Sequence, residues 1–316
     1  MKQLSRFGAI DIGSNSLRFL AAASEDNFLR YLDSGIWTVR LAQGMSSSQY
    51  EVKREALNRT LQALEKVRER FEALRVPPEN RILFTTESLR SSLNVSEVAL
   101  AIEKKADMKL RILRGNEEAF YSYKGALLGI DANDVAVFDL GGGSLELCGK
   151  RWSYSLPLGA LRLKALFDED VTAIKDHVGS QLRSVLKDIQ DIEDVKEVIG
   201  VGGTSSTTAM ILKKVSIDQY HPSRVHGMKI KKTEIKDLVE ALRQMDVEAR
   251  KHVVGLEPGR SDIIVSGLCV ILALLEFLKF NYYLHSECDA LWGILAEEVD
   301  RRRAKEIKIK GINWGV

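Results

Sequence analysis

The sequence predicts an α/β protein built from two related halves, each a mixed sheet with helices around it. Two observations carry this prediction. Apolar runs of strand length alternate with amphipathic, helix-length segments along most of the chain. A motif that ends one early strand also returns: Ala9-Ile-Asp-Ile-Gly-Ser-Asn-Ser-Leu-Arg18 lies over Val137-Phe-Asp-Leu-Gly-Gly-Gly-Ser-Leu-Glu146, with Asp11 and Asp139, Gly13 and Gly141, and Ser16 and Ser144 all 128 positions apart.

Each half opens in the same way. In the first, Phe7–Ile12 is an apolar run, Leu17–Ala23 resumes as a second strand, and Gly and Asn between them suit a tight turn. Two further strands are expected at Phe28–Leu32 and Trp37–Leu41. A long amphipathic helix follows over Gln49–Arg75 and is stopped by Pro77-Pro78. Arg81–Thr85 reads as a strand, Ser88–Asn94 as a helical or loop segment, Val95–Ala106 as a helix, Lys109–Leu113 as a strand and Asn116–Leu128 as a helix. A meander followed by β-α units favours a mixed sheet over a doubly wound parallel one. The division falls near Ile130–Asn133, giving halves of about 1–131 and 132–299. The second half supplies helices Leu158–Leu166 and Ala173–Ile192, strand Glu197–Val201, a helix from Ser205, a buried helix Arg260–Phe280, strand Tyr282–His285 and a closing helix Ala290–Arg303.

Composition narrows the function classes. Hydrophobic residues make up 45% of the 316 and charged ones 28%, enough for sizeable cores. The 46 basic and 44 acidic residues leave a net charge of +2, which argues against a coat for nucleic acid. The one basic cluster, Arg301-Arg302-Arg303 with Lys305, Lys308 and Lys310, reads first as a solvated helix end. Cys148, Cys269 and Cys288 are odd in number and widely separated, so neither a disulfide framework nor a zinc site is indicated. Asp11 interrupts the first apolar stretch before a signal sequence could form, and Ile263–Leu275 is too short to span a bilayer. A cytoplasmic protein without membrane or nucleic-acid partners is expected.

Three Gly/Ser/Thr-rich turns follow strands: Asp11–Ser16, Asp139–Ser144 and Gly200–Ser206. Backbone N–H groups in such turns converge on phosphate oxygens, and the third also opens a helix. None matches a P-loop, because no Lys-Ser/Thr pair follows the glycines. Asp11, Asp139 and Glu146 sit on the repeated turns as carboxylates suited to a hard cation such as Mg²⁺. Arg18 and Arg90 offer forked donors to phosphate. Glu117 and Glu118 open a helix, where an acid suits the dipole as well as it suits a water-activating base; local reasoning leaves both roles open.

These blocks resemble, in order and spacing, the exopolyphosphatase / guanosine pentaphosphate phosphohydrolase family of the actin-like ATPase superfamily. The resemblance runs from about Ala9 to Leu295. It rests on Asp11–Ser16 with Arg18, Val39-Arg-Leu41, Thr86–Arg90 with Asn94, Glu117-Glu-Ala119, Asp139–Glu146, Leu156-Pro-Leu-Gly159 with Arg162, Gly202-Gly-Thr204, His226-Gly227 and Arg260-Ser-Asp262 with Gly267. It implies two actin-like (ribonuclease-H-like) domains closing on a deep interdomain cleft, with a last helix at about 300–316 packing back on the first. It implies Glu117 as general base, and Asp139, Glu146 and Asp11 as the Mg²⁺ site, Mn²⁺ being an alternative. The phosphate contacts it implies are Gly13, Ser14, Asn15, Ser16, Arg18, Arg90, Gly141, Gly142, Gly143, Ser144, Gly203 and Thr204. The expected reaction is hydrolysis of terminal phosphoanhydride bonds of polyphosphate or of guanosine penta- or tetraphosphate, and a homodimer is left open. Leu291-Trp292 departs from the Arg-Glu that many members carry there. The rival readings are a sugar or acetate kinase of the same superfamily and a non-catalytic nucleotide-binding protein.

Overall fold

The computed structural model describes residues 5–43, 50–186, 194–303 and 308–315. Strands β1 (Ser5–Ile12), β2 (Ser16–Glu25) and β3 (Phe28–Thr38) form an antiparallel meander, because long apolar runs are separated by turns too short for a crossover. Helix α1 (Arg54–Ala73) then returns the chain to β4 (Arg81–Thr85), parallel to β1. The short α2 (Glu87–Arg90) and α3 (Val95–Ala106) lead to β5 (Leu110–Ile112), parallel to β4. β3 is one strand, where two had been expected. Its pairing with β2 continues through the polar stretch Asp33-Ser34-Gly35, with a bulge opposite Ala21/Ala22.

Helix α4 (Gly115–Gly129) leaves the first sheet, and the pattern restarts. β6 (Val135–Leu140), β7 (Leu145–Cys148) and β8 (Ser153–Leu156) form the second meander. Helices α5 (Ala160–Phe167) and α6 (Val171–Leu186) precede β9 (Glu197–Val201) and α7 (Gly203–Lys213). Next come β10 (Lys229–Lys231), α8 (Lys232–Arg243), α9 (Val247–Arg250), α10 (Ile264–Phe277), β11 (Tyr282–His285), α11 (Ala290–Arg302) and β12 (Gly311–Asn313). The two sheets run β12-β3-β2-β1-β4-β5 and β10-β11-β9-β6-β7-β8. Without one added edge strand in each, β12 and β10, they share one topology. The repeat extends to register: Asp11 pairs with Arg18 as Asp139 pairs with Glu146.

The end of the chain differs from expectation. α11 packs with the first half, not the second. Its Leu295, Ala296 and Val299 share a core with Phe7, Ala9, Leu20 and Phe84, so the division falls before Ala290 and not at 299. Beyond Arg302 the described residues contain a strand, β12, parallel to β3, where a helix had been expected. Arg302 binds Asn80 and Arg303 the Asp26 carbonyl, so this part of the basic run ties α11 to the first sheet; Lys305 lies outside the described residues. So do Gln49, where the first helix was expected to start, and residues 187–192 at the expected end of α6.

Helices α4 and α11 cross where both are glycine. A Cβ on Gly125 would sit 2.0 Å from the Asp289 carbonyl oxygen, and one on Gly293 would sit 2.1 Å from that of Tyr121. α4 also packs on β6, β7 and β8, and α11 on β1 and β2, so this crossing joins the halves. A second junction lies across the molecule: Arg40 forks onto Asp262 at 2.7 and 2.8 Å, and Thr38 donates to Glu257 at 2.8 Å. Gly→Ala inside an ordinary helix stabilises it by about 1 kcal/mol. Gly125→Ala is expected to do the reverse, costing about 1–3 kcal/mol through overpacking. A thermal melt of the variant checks the sign, and an unchanged or raised Tm would show that the helices separate freely.

Candidate active site

The repeated turns face each other. A Cβ on Gly142 would meet Ser14 Cβ at 3.1 Å and Asn15 N at 3.3 Å, so the β6–β7 turn closes directly on the β1–β2 turn. Each is fixed by the same bond: Gly13 N–H to the Ser16 carbonyl at 3.0 Å, and Gly141 N–H to the Ser144 carbonyl at 3.1 Å. Carbonyls of both turns are drawn away from the gap. Asn15 O accepts from the Val39 and Arg40 amides and Ser14 O from Ala42; Gly141 O accepts from Ala160, and Gly142 O from Leu161 and Arg162. These carbonyls are thus taken up by neighbouring amides and are less available to repel an anion, and glycine-rich turns of this kind can present their free amides to one.

A cleft of about 600 Å³ lies between the turns. Gly13, Ser14, Asn15, Ser16, Arg18, Gly141, Gly142, Gly143, Ser144 and Gly203 all line it, as do Asp11 and Asp139. Gly203 opens α7, whose N-terminus points its dipole at the cleft. Gly202 precedes it at φ +89, and any Cβ there would lie 2.5 Å from an Asp139 oxygen.

Four expected residues are placed otherwise. Glu117 lies on the wrong side of its helix: its carboxylate accepts the Arg114 amide at 2.8 Å and caps α4, and it does not line the cleft. The next residue, Glu118, does line it, and is buried. Thr204 packs on Gly267 of α10 and faces away from the cleft. Glu146 lies behind its turn, bonded by Ser155 at 2.7 Å. Arg90 lines an adjoining cavity of about 510 Å³, which shares Ser144 with the cleft, and is bonded to Glu87 and the Leu113 carbonyl. Arg18, though at the cleft, is engaged by Asp11 and Asp289.

Electrostatically the cleft is acid-rich. Burial, with Glu146, Asp139 and Asp11 nearby, pushes Glu118 well above the usual carboxylate range. Burial and Asp289 raise Asp139 to about 6; burial and Asp139 raise Glu146 to about 8. Burial raises Asp11 too, against the opposing pull of Arg18. Asp11 Oδ1 and Glu118 Oε2 are buried without a hydrogen-bond partner, the latter 3.8 Å from Arg90 Nη1. Among the described residues no three His, Cys, Asp or Glu side chains come close enough to share one ion. Mg²⁺ does not require that, since one or two carboxylates with waters and substrate oxygens suffice. The orphaned oxygens and the crowded acids fit such an ion.

The Ppx/GppA phosphatase family profile matches residues 20–301. The chain belongs to that family. It is 27% identical to a bifunctional 3-dehydroquinate synthase/phosphatase of Fusobacterium nucleatum, over 93% of this chain and 46% of that protein. It is 26% identical to a guanosine-5'-triphosphate,3'-diphosphate pyrophosphatase of Vibrio atlanticus, over 97% and 62%. The chain thus spans about half to three-fifths of these two relatives. The Aquifex aeolicus PPX-GPPA enzyme superposes at a TM-score of 0.74 with 25% identity, over 93% of this chain and 99% of that one. A Cytophaga hutchinsonii exopolyphosphatase superposes at 0.82 with 21% identity, over 97% and 100%. The two sheets are therefore the two actin-like domains of this fold, and the cleft lies between them. Among the described residues no helix is long and apolar enough to cross a membrane.

Two residues of the site lacked a functional assignment from sequence. Arg260 lines the cleft 3.4 Å from Ser16 Oγ, and in sequence it stands out only as part of the Arg260-Ser-Asp262 block. Asp289 caps α11 through the Leu291 amide and engages Arg18; an Asp just before a helix was its one signal. Because Glu146 is protonated in the fold up to about pH 8 but would ionise near 4.5 when exposed, the folded state holds the extra proton between those values. Stability of the metal-free protein then falls as pH rises through that window. Glu146→Gln should remove this loss, so that its Tm exceeds wild type at pH 8.5 by about 2 °C or more, with the gap shrinking toward pH 4.5. Thermal melts in a chelator test this, and a pH-independent gap would disprove it.

Proposed function

We propose that this chain hydrolyses terminal phosphoanhydride bonds of polyphosphate or guanosine pentaphosphate, with Glu118 as general base. The observation that carries the reading is the placement of Glu118. It is the carboxylate at the start of α4 that enters the gap between two facing, glycine-rich turns. The turn amides and the α7 N-terminus hold the phosphate oxygens and favour charge developing on them in the transition state. Glu118, with one oxygen unpartnered, accepts a proton from the water that attacks the terminal phosphorus. Arg90, 3.8 Å from that oxygen, steadies the ionised carboxylate. Phosphoryl transfer needs chiefly positioning and electrostatics, and these groups supply both.

Asp139 and Asp11, with Glu118 adjacent, would hold a Mg²⁺ or Mn²⁺ ion, Glu146 supporting from behind. Such an ion supplies positive charge that keeps the crowded carboxylates ionised and polarises phosphate oxygens. The kinase reading has less support, since the cleft residues already account for a water-activating base and no acceptor site is needed.

The test compares phosphate release from polyphosphate and guanosine pentaphosphate by wild type, Glu118→Gln and Glu117→Gln. Glu118→Gln is expected to lower kcat by about 10²–10⁴ with KM little changed, while Glu117→Gln stays near wild type. The reverse ranking would return the base to Glu117, and full activity of Glu118→Gln would remove it from the mechanism.

A further inference from the structure

A buried hydroxyl inside a helix commonly finds its acceptor on that helix, at the carbonyl four residues back. Two in this chain do so: Thr60 donates to the Ala56 carbonyl at 2.9 Å, and Thr208 to that of Thr204 at 2.7 Å. The equivalent acceptor for Ser122, buried in α4, is the Glu118 carbonyl. Its hydroxyl turns instead to Asp139 and donates to Oδ2 at 2.6 Å. A hydroxyl aimed at a carboxylate makes a short, directional bond. Packing of α4 does not call for it, since the back-bond satisfies the same hydroxyl.

The place of Ser122 on the helix gives this bond its reach. Glu118, Ser122 and Gly125 stand four and then three residues apart, so they share one face of α4. Glu118 lines the cleft at one end of that face, and Gly125 meets α11 at the other. Between them Ser122 fastens the helix to the end of β6, where Asp139 lines the cleft. The Asp139 carboxylate is thereby held in one orientation, with Oδ2 engaged and Oδ1 lodged where a Cβ on Gly202 would come within 2.5 Å. Its distance to Glu118 is set as well, because both are referred to neighbouring turns of one helix.

Other carboxylates of the cleft are held differently. Asp11 is gripped by Arg18, whose charge already answers its own, and Glu146 is bonded by Ser155 behind its turn. A neutral donor orients Asp139 without cancelling its charge, which is what a carboxylate facing a cation needs.

We propose that Ser122 is a positioning residue: its hydroxyl presents the Asp139 carboxylate to a divalent cation and keeps it in register with Glu118. It touches neither the ion nor the substrate. This deepens the hydrolytic reading and rests on Asp139 being part of the cation site.

The test is a Mn²⁺ titration of the full chain after treatment with chelator, the free ion being followed by electron paramagnetic resonance. Ser122→Ala is expected to bind Mn²⁺ about tenfold or more weakly than wild type, the usual cost of losing the outer partner of a ligating carboxylate. Alanine suits a helix interior, so the variant should keep a cooperative thermal melt. Thr60→Ala removes a buried hydroxyl from α1 and should bind as wild type does. In phosphate release, the Mg²⁺ concentration for half-maximal rate should rise by a similar factor in Ser122→Ala, with a smaller loss of kcat once the ion saturates. Unaltered Mn²⁺ affinity in Ser122→Ala, an equal loss in Thr60→Ala, or loss of the cooperative melt each overturns the role of Ser122 and leaves the cleft reading standing. Absence of Mn²⁺ binding by wild type overturns the cation site and this inference with it. Weaker binding by Ser122→Ala without phosphate release by wild type supports Ser122 and overturns the hydrolytic reading.

Discussion

Where α4 and α11 cross, no side chain separates them. That close approach at Gly125 and Gly293 sets the spacing of everything above it, because each helix carries a different half of the site. α4 packs on the second sheet and carries Glu118 in its first turn, about two turns from the crossing. α11 packs on the first sheet and is capped by Asp289, whose carbonyl bonds the Gly293 amide at the crossing itself. A wider crossing would shift Glu118 relative to the β1–β2 turn and loosen the Arg18–Asp289 pair. Glu118 is placed by the backbone contact of α4 with α11 and by the facing turns that line the cleft with it.

The cost of this arrangement is a crowd of acids. Asp11, Glu118, Asp139 and Glu146 are all buried within mutual influence, and burial alone disfavours their ionised forms. Arg18 and Arg90 offset part of that. What remains is a cluster of buried carboxylates with raised proton affinity, the kind of perturbed group that marks a candidate site. A larger, separate cavity shares Arg18, Gly203 and Arg260 with the cleft as walls, and there both arginines are already paired with carboxylates.

Much of the fold was legible because it is periodic. The repeat at an offset of 128 appears in the structure as equal strand order, equal register and the same closing bond in each turn. Alternation of strand and helix located most elements. Failures came where a neighbour decided. β3 is continuous because β2 pairs along it, in spite of Asp33-Ser34-Gly35. The end of the chain forms strand β12 because the β3 edge is there to accept it.

The site was legible by turn and not by side chain. Two glycine-rich turns, each following a strand at one repeated spacing, are visible in sequence alone, and the structure brings them face to face across one cleft. The chain determined those turns by itself, along with the two halves and the family they belong to. Which of two adjacent glutamates enters the cleft was decided only by tertiary structure. Neighbours on a helix point about 100° apart, so the docking of α4 turned Glu118 inward and left Glu117 to cap the helix. Packing likewise pairs Arg18 with Asp11 and Asp289, bonds Glu146 to Ser155 and sets Thr204 against Gly267, and the pairing of Arg40 with Asp262 joins two blocks far apart in the chain. Spacing along a chain fixes which residues share an element; only packing between elements fixes which of them face each other.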